Sequence, residues 1–371
     1  MKEDEYREIL RRIEFNRTEP EVLVRLIDSA SKKGEKAQID FRSLRKAAEE
    51  FSIHLSKTSF IHTEAEIPSP PTERVTCVGI DGSMFPIGGV GGLWYVPYAI
   101  VRIIFPEGDK ARPAVDVFAA GVEAVSEHED YNIKGHAERF MMIGETKAIR
   151  TWGEKGTRSI VFIDGPAIDP PALVDEVYVR ERAAALRSVV AHSTLLGCVK
   201  RSRDSWLLEA LRNERAGDFK KEALDLFPSD QHFLSFVFTA LRKAGTKGCL
   251  YTSGIEVSSR ASPVLSAYSE EGMRLVSFFF ERDAGTVPLR FDIPVFKSEP
   301  LSSQALGEIV SVAATHVLDW TYPKYDYPLP VMLAHEKCMV KEGCAEVLYD
   351  EIITRTHSGD PYDQLAALQL R

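Results

Sequence analysis

The feature that most constrains this chain is an apolar run that ends in Ile-Asp-Gly and occurs twice. The first copy, "VTCVGIDG", places Asp81 after the run, and the second, "SIVFIDG", places Asp164 there. Continuous apolar runs rich in β-branched residues are typical of strands buried on both faces of a sheet. We therefore expect a sheet in which two central strands each end at a carboxylate.

The neighbouring segments predict a mixed α/β protein. The runs "LWYVPYAIVRIIF" and "PAVDVFAAGV" predict two more strands after the first, and a helical pattern spans about residues 136–152. The strand "SIVFI", a helix and the strand "TLLGCVK" follow. This order resembles the ribonuclease H-like fold, in which the first strand lies beside the fourth and helices cover a mixed sheet. The resemblance implies that Asp81 and Asp164 meet at one edge of the sheet.

The chain divides into two parts by pattern. Apolar residues at helical spacing, followed by the break "IPSPPTERV", predict an N-terminal helical region over residues 1–70. Residues 71–371 then form the main domain, with a core at about 75–200 and C-terminal helices that carry His335. Between these we predict a helical insertion at about 204–298, which includes one hairpin formed by "LVSFFFERD" and "VPLRFDIPVF".

Composition and charge narrow the classes of function. The net charge of -9 argues against a generally basic nucleic-acid coat but leaves room for a local basic groove. The five cysteines are scattered without a CxxC pair, which signals neither a disulfide framework nor a zinc site. The N-terminal "MKEDEYREILRRIE" alternates charges where an export signal would be apolar, and the most apolar stretch is interrupted by glycine, proline and arginine. We expect a cytoplasmic protein without a membrane segment.

Asp81 and Asp164 are candidate ligands of a divalent metal. A carboxylate beside glycine at a strand end is held rigidly, while the neighbouring backbone stays accessible. Two such carboxylates suit magnesium or manganese. The alternative at either position is an Asp-Gly turn without a ligand role.

Glu145 and His335 would complete such a site. Glu145 shares a helical face with Met141 and Trp152, and a carboxylate buried there needs a cation or another partner. Glu138 on the same face is the rival candidate, but it lies about 10 Å further along the helix axis. His335 in "PLPVMLAHEKC" is either a core histidine or a metal ligand and general acid/base. An Asp, Glu, Asp, His set suits two-metal hydrolysis of a phosphodiester.

A basic segment and a tyrosine loop are candidates for DNA binding. Lys200, Arg201 and Arg203 in "GCVKRSRDS" follow the last core strand, at the edge expected to face the site. Such cations bind backbone phosphates, although a solvated basic turn is the alternative. Tyr327 and Tyr325 lie in the loop "TYPKYDYPLP", where they would stack on bases or serve as packing aromatics.

Taken together, four motifs resemble the NurA nuclease family. They are "GIDGSM", "MMIGETKAIRTW" before "IVFIDGP", "LLGCVKRSRDS" and "YDYPLPVMLAHEKC", in this order across about Val75 to Cys344. The resemblance implies a manganese-dependent deoxyribonuclease, with magnesium as the alternative metal, that has 5'-3' exonuclease and endonuclease activity. It further implies a homodimer that docks on a hexameric HerA-type translocase and processes single-stranded and duplex DNA ends in double-strand-break repair.

The same resemblance implies roles for individual residues. The catalytic and metal-binding set falls on Asp81, Glu145, Asp164 and His335, while Lys200 and Tyr327 match positions near the site. One departure is "DGPAIDPP" after the second strand, where many relatives have Asp-Gly-Ser-Leu. The loop after Asp164 is therefore expected to have a different shape.

The sequence is compatible with two other classes of function. In an actin-like or sugar-kinase-like phosphotransferase, "IDGSMFPIGGVGG" would be a phosphate loop. Such proteins need a second copy of the fold and a glycine-rich adenosine motif, and the sequence shows neither. The other alternative is a catalytically inactive subunit that binds a translocase. The presence of all four site residues argues against this alternative.

Overall fold

The computed structural model describes residues 19–69, 74–90, 93–126, 133–168, 175–213, 221–257, 263–299 and 301–356. The helices in these ranges are α1 Pro20–Lys57, α2 Ile133–Gly153, α3 Glu176–Val190, α4 Trp206–Asn213, α5 Asp230–Lys243, α6 Pro263–Glu270, α7 Ser303–Trp320, α8 Leu329–Cys338 and α9 Glu342–Thr356. The strands are β1 Ile61–Thr63, β2 Thr76–Met84, β3 Ile87–Val90, β4 Leu93–Phe105, β5 Ala114–Ser126, β6 Ser159–Asp164, β7 Thr194–Val199, β8 Leu250–Thr252, β9 Ile255–Val257, β10 Met273–Glu281 and β11 Leu289–Phe296.

These strands form one mixed sheet of 11 strands. Its order is β1-β8-β10-β11-β7-β6-β2-β4-β3, with β5 paired to β4 and β9 paired to β10. At the centre β2, β6 and β7 are parallel, whereas β4 runs antiparallel to β2. The prediction of an α/β protein with a large mixed sheet and flanking helices is confirmed, and β2 lies beside β6.

The central strands are buried on both faces because successive side chains point to opposite sides. On one face, Cys77 and Phe162 pack in a cluster with residues of α7 and α8. On the other face, Val78 and Val161 pack with residues of α2, α3 and α6. Helices on both faces leave the strand ends as the accessible part of the central sheet.

The segment at 204–298 differs from the predicted helical insertion. It contains α4, α5 and α6, but also the strands β8 to β11, and β10 and β11 form the predicted hairpin. β11 pairs antiparallel with β7, with Asp292 opposite Gly197, so this segment extends the central sheet. The short strands β8 and β9 were not predicted because three residues are too few to show a period of two.

The predicted N-terminal helical region is also connected to the sheet. α1 ends at Lys57, and β1 then pairs with β8 at the sheet edge. Residues 1–18 and 357–371, which lie within the predicted domain bounds, are outside the described residues.

The run "LWYVPYAIVRIIF" forms β4, as predicted. Among the helices of the described ranges, none combines the length and the apolar character needed to cross a membrane.

Candidate metal centre

Asp81 lies inside β2 and not at its end, which corrects the prediction. The parallel pairing of β2 with β6 ends at Ile80, opposite Ile163. Pairing with β4 continues to Met84, because β4 is long enough to accompany β2 past the end of β6. Asp81 is therefore the first residue of β2 without a β6 partner, and its side chain is 6% exposed.

Asp164 is the last residue of β6, as predicted. Gly165 follows with φ +93°, a conformation that favours glycine, and its N–H donates to the Cys198 carbonyl oxygen at 2.9 Å. The second Ile-Asp-Gly thus makes a turn, whereas the first continues a strand. The two similar motifs place their carboxylates by different local structures.

His335 reaches these carboxylates because α8 lies directly against β2. A Cβ at Gly79 would lie only 2.1 Å from the Pro330 carbonyl oxygen, so the helix approaches the strand at a position where no side chain fits. His335 Nδ1 lies 2.8 Å from Asp81 Oδ2 and 3.5 Å from Asp164 Oδ2. The imidazole therefore contacts both carboxylates while its side chain stays 43% exposed.

Glu145 approaches the same region from the opposite face. It is buried on α2, which crosses β2 closely at Gly82: a Cβ there would lie 2.8 Å from Glu145 Oε1. Glu145 is nevertheless outside the cluster of three whose ligand atoms lie within 4.8 Å of one another. The rival Glu138 is half-buried on α2, about two helical turns earlier.

The cluster of three consists of Asp81, Asp164 and His335, and its donor set fits a divalent cation. Carboxylate oxygens and imidazole nitrogens are common ligands of divalent metal ions in proteins. Burial and the neighbouring Asp164 carboxylate raise the pKa of Asp81 to about 8. A cation held between the two carboxylates would remove the repulsion that contributes to this shift.

Lys200 provides a positive charge beside the cluster. Its Nζ donates to Asp164 Oδ2 at 2.6 Å and lies 4.6 Å from the centroid of the Tyr327 ring, a cation–π distance. Burial alone would lower the pKa of Lys200, but the Asp164 carboxylate outweighs it and the pKa is raised. Arg201 and Arg203 follow β7 and are exposed, on either side of the buried Ser202. The structure thus brings Lys200 and Tyr327 to the cluster and leaves both arginines facing solvent.

Sequence reasoning did not identify Cys338 as a part of this region. Its thiol is buried and lies 3.5 Å from Asp81 Oδ2. Burial raises the pKa of Cys338, and the nearby Asp81 charge raises it further, so the thiol stays protonated and donates to the carboxylate. The available signal was the spacing from His335, since residues three apart share a helix face.

A family model of the NurA domain matches residues 75–338. The crystal structure of the NurA nuclease from Sulfolobus solfataricus is similar to this chain with a TM-score of 0.56 and 12% identity, covering 93% of this chain and 99% of that chain. At this identity the likeness shows the fold alone.

Ciona intestinalis Endonuclease V in complex with inosine-containing DNA has a TM-score of 0.32 and 11% identity, covering 82% of this chain and 95% of that chain. No curated protein sequence matches the chain. The family match covers most of the chain and confirms the resemblance drawn from the four motifs. This chain therefore belongs to the NurA domain family.

Proposed function

We propose that the protein is a metal-dependent DNA nuclease that hydrolyses phosphodiesters at the Asp81, Asp164 and His335 cluster. One observation carries this proposal: ligand atoms from β2, β6 and α8 lie within 4.8 Å of one another, next to a lysine. Membership in the NurA family and the fold shared with a NurA nuclease support it.

The proposed roles follow from the contacts of each side chain. Asp81, Asp164 and His335 would hold the cation, and a bound divalent cation supplies Lewis-acid activation of the phosphodiester and of water. Cys338 orients Asp81 by donating to its Oδ2. The Lys200 ammonium would bind a phosphate oxygen, and the ring of Tyr327 supports it from one side.

Glu145 is the residue that we assign to the second cation of a two-metal site. The close approach of its Oε1 to Gly82, the residue that follows Asp81 in β2, supports this role. Its position outside the three-residue cluster is consistent with a separate cation. Arg201 and Arg203 are proposed to bind backbone phosphates at the rim of the site.

The finer points of the proposal follow from the family resemblance. They are a ribonuclease H-like core, which the strand order β5-β4-β2-β6-β7 supports, and manganese as the preferred metal. They also include 5'-3' exonuclease and endonuclease action on single-stranded and duplex DNA ends, a homodimer, and docking on a hexameric HerA-type translocase. The cytoplasmic location stays a prediction.

The phosphotransferase alternative is less favoured, because all strands of the described ranges belong to one sheet and not to two copies of a fold.

The direct test uses the full chain and end-labelled linear DNA with Mn²⁺, with Mg²⁺ or with chelator, in the presence and absence of a HerA-type ATPase. We expect metal-dependent cleavage that Asp81→Asn and Asp164→Asn each reduce about a hundredfold or more, since even outer partners of metal ligands contribute 10–100-fold. Asp28→Asn is the matched control and should cleave like wild type. Asp28 is an exposed acid on α1 that pairs with Lys32.

The outcomes separate the alternatives. Undiminished cleavage by both site variants would show that the active site lies elsewhere. Binding of DNA or the translocase without any cleavage by wild type would favour the inactive-subunit alternative. Hydrolysis of ATP by the isolated chain without DNA would favour the phosphotransferase.

A further inference from the structure

The segment that carries Lys200 has no regular secondary structure of its own. Residues 200–205, here called the connector, join the end of β7 to the start of α4 and carry Lys200, Arg201 and Arg203. No strand partner fixes these residues, so the position of the Lys200 backbone depends on side-chain contacts from other elements.

Gln231, the second residue of α5, makes such contacts with its side-chain amide. Its Nε2 donates to the Lys200 carbonyl oxygen at 3.0 Å and to the Pro288 carbonyl oxygen at 3.0 Å. Its Oε1 accepts from the Ser202 N–H at 2.9 Å. The Gln231 side-chain amide therefore bonds to the connector on both sides of Arg201. It also links the connector to the turn between β10 and β11.

Neighbouring groups hold the later part of the connector and the start of α4. Asp230 accepts from the N–H groups of Leu207 and Leu208 at 2.8 and 3.0 Å, which caps the start of α4. Arg290 on β11 donates to Ser202 Oγ at 3.2 Å and to the Asp204 carboxylate. Gln231 differs from Asp230 and Arg290 because it bonds to the backbone of Lys200 itself.

We propose that Gln231 is a positioning residue of the nuclease reaction, which places the Lys200 ammonium next to Asp164 and the substrate phosphate. This inference rests on the proposed function and gives the segment at 204–298 a role in it. The Lys200 side chain extends from a backbone that Gln231 holds, and its Nζ lies 2.6 Å from Asp164 Oδ2. A shift of about 1 Å in such a group can cost up to a hundredfold in rate.

The structural part of the inference is tested by limited trypsin digestion of the full chain, because trypsin cleaves after arginine when the connector opens. Gln231→Ala should speed cleavage after Arg201 and Arg203 about tenfold, since it removes three hydrogen bonds. Gln304→Ala is the matched control, because the Gln304 amide bonds to the exposed Glu308 on α7. Equal cleavage in Gln231→Ala and wild type would overturn the inference.

The functional part is tested by a double-mutant cycle on DNA cleavage. Gln231→Ala should lower kcat/KM about tenfold in the wild-type background and have little further effect in Lys200→Met, because its influence passes through Lys200. Gln231→Glu, which keeps the acceptor but loses both donors, should resemble the alanine variant. An equal loss in both backgrounds would show a general structural effect and contradict the proposal.

The two tests separate this inference from the proposed function. If wild type does not cleave DNA, the proposed function fails and Gln231 is no positioning residue of that reaction, whatever the digestion shows. If wild type cleaves and Gln231→Ala is indistinguishable from it in both tests, the inference alone fails.

Discussion

His335 Nδ1 lies 2.8 Å from Asp81 Oδ2, although 254 positions separate the two residues in the chain. The contact forms because α8 lies against β2 at Gly79, where a Cβ would lie 2.1 Å from the Pro330 carbonyl oxygen. The candidate metal centre therefore depends on the packing of a late helix on an early strand.

Replacing Gly79 by alanine should displace α8 and separate His335 from Asp81. We expect a loss of about 1–3 kcal/mol in the free energy of unfolding, as is typical of overpacking. Mn²⁺ affinity, measured by calorimetry, should fall about tenfold or more, in the range found when support for a metal ligand is lost. The control is Gly307→Ala on α7, where the added Cβ has no atom within 4 Å apart from the adjacent residues and backbone of its own helix. Unchanged Mn²⁺ affinity in Gly79→Ala would mean that His335 is not a ligand.

Lys200→Met should strengthen metal binding and weaken DNA cleavage. The Lys200 ammonium lies 2.6 Å from Asp164 Oδ2 and repels a cation bound there. Its removal should tighten Mn²⁺ binding on the order of tenfold, by Coulomb's law in a high-dielectric surrounding. The kcat/KM for DNA should fall at the same time, because a phosphate contact is lost. Weaker Mn²⁺ binding in this variant, measured by calorimetry, would contradict the assigned role of Lys200.

Glu145→Gln should abolish cleavage while Mn²⁺ still binds at Asp81, Asp164 and His335. This outcome is expected because Glu145 lies outside the cluster of three and is assigned to a second cation. Calorimetric titration should show fewer bound ions than in wild type. Glu138→Gln, on the same helix, is the matched control and should retain activity; the reverse pattern would make Glu138 the catalytic acid.

A buried pair away from the metal centre predicts how stability changes with pH. Glu281 is buried, and its Oε2 lies 3.7 Å from Arg242 Nη2, which is too far for a hydrogen bond. Burial, opposed by Arg242, raises the pKa of Glu281 from 4.5 to about 7. A raised pKa in the folded state stabilises the protein below pH 4.5, and this stabilisation is lost as the pH rises through 7.

Between pH 4.5 and 7, wild type should therefore lose free energy of unfolding, on the order of 3 kcal/mol, relative to Glu281→Gln. Urea denaturation of both proteins at several pH values checks this. Parallel pH profiles for wild type and the variant would show that Glu281 does not titrate in this window.

The sequence was most informative about residues whose position and burial depend on the local pattern of apolar residues. The apolar runs before Asp81 and Asp164 predicted two buried strands, and the helical face of Glu145 predicted its burial against the sheet. That the two strands lie side by side followed from the resemblance to the ribonuclease H-like fold. The end of β2 was misplaced because strand length depends on the partner: β4 continues past the end of β6, and no local signal shows this.

Contacts between segments that are distant in the chain could not be predicted from the sequence. The ion pair of Lys200 with Asp164 and the hold of Gln231 on the connector both need the folded sheet and the packing of α5 beside it. The sequence predicts β10 and β11 only as a hairpin within an insertion, because the pairing of β11 with β7 is a relationship between segments and not a pattern within one.

The most direct test of the central claim is the anomalous diffraction of manganese in crystals of the full chain grown or soaked with Mn²⁺. We expect an anomalous peak coordinated by Asp81, Asp164 and His335, and no peak there in Asp81→Asn crystals. A cleavage-active protein whose manganese binds elsewhere, with these three side chains uncoordinated, would contradict it.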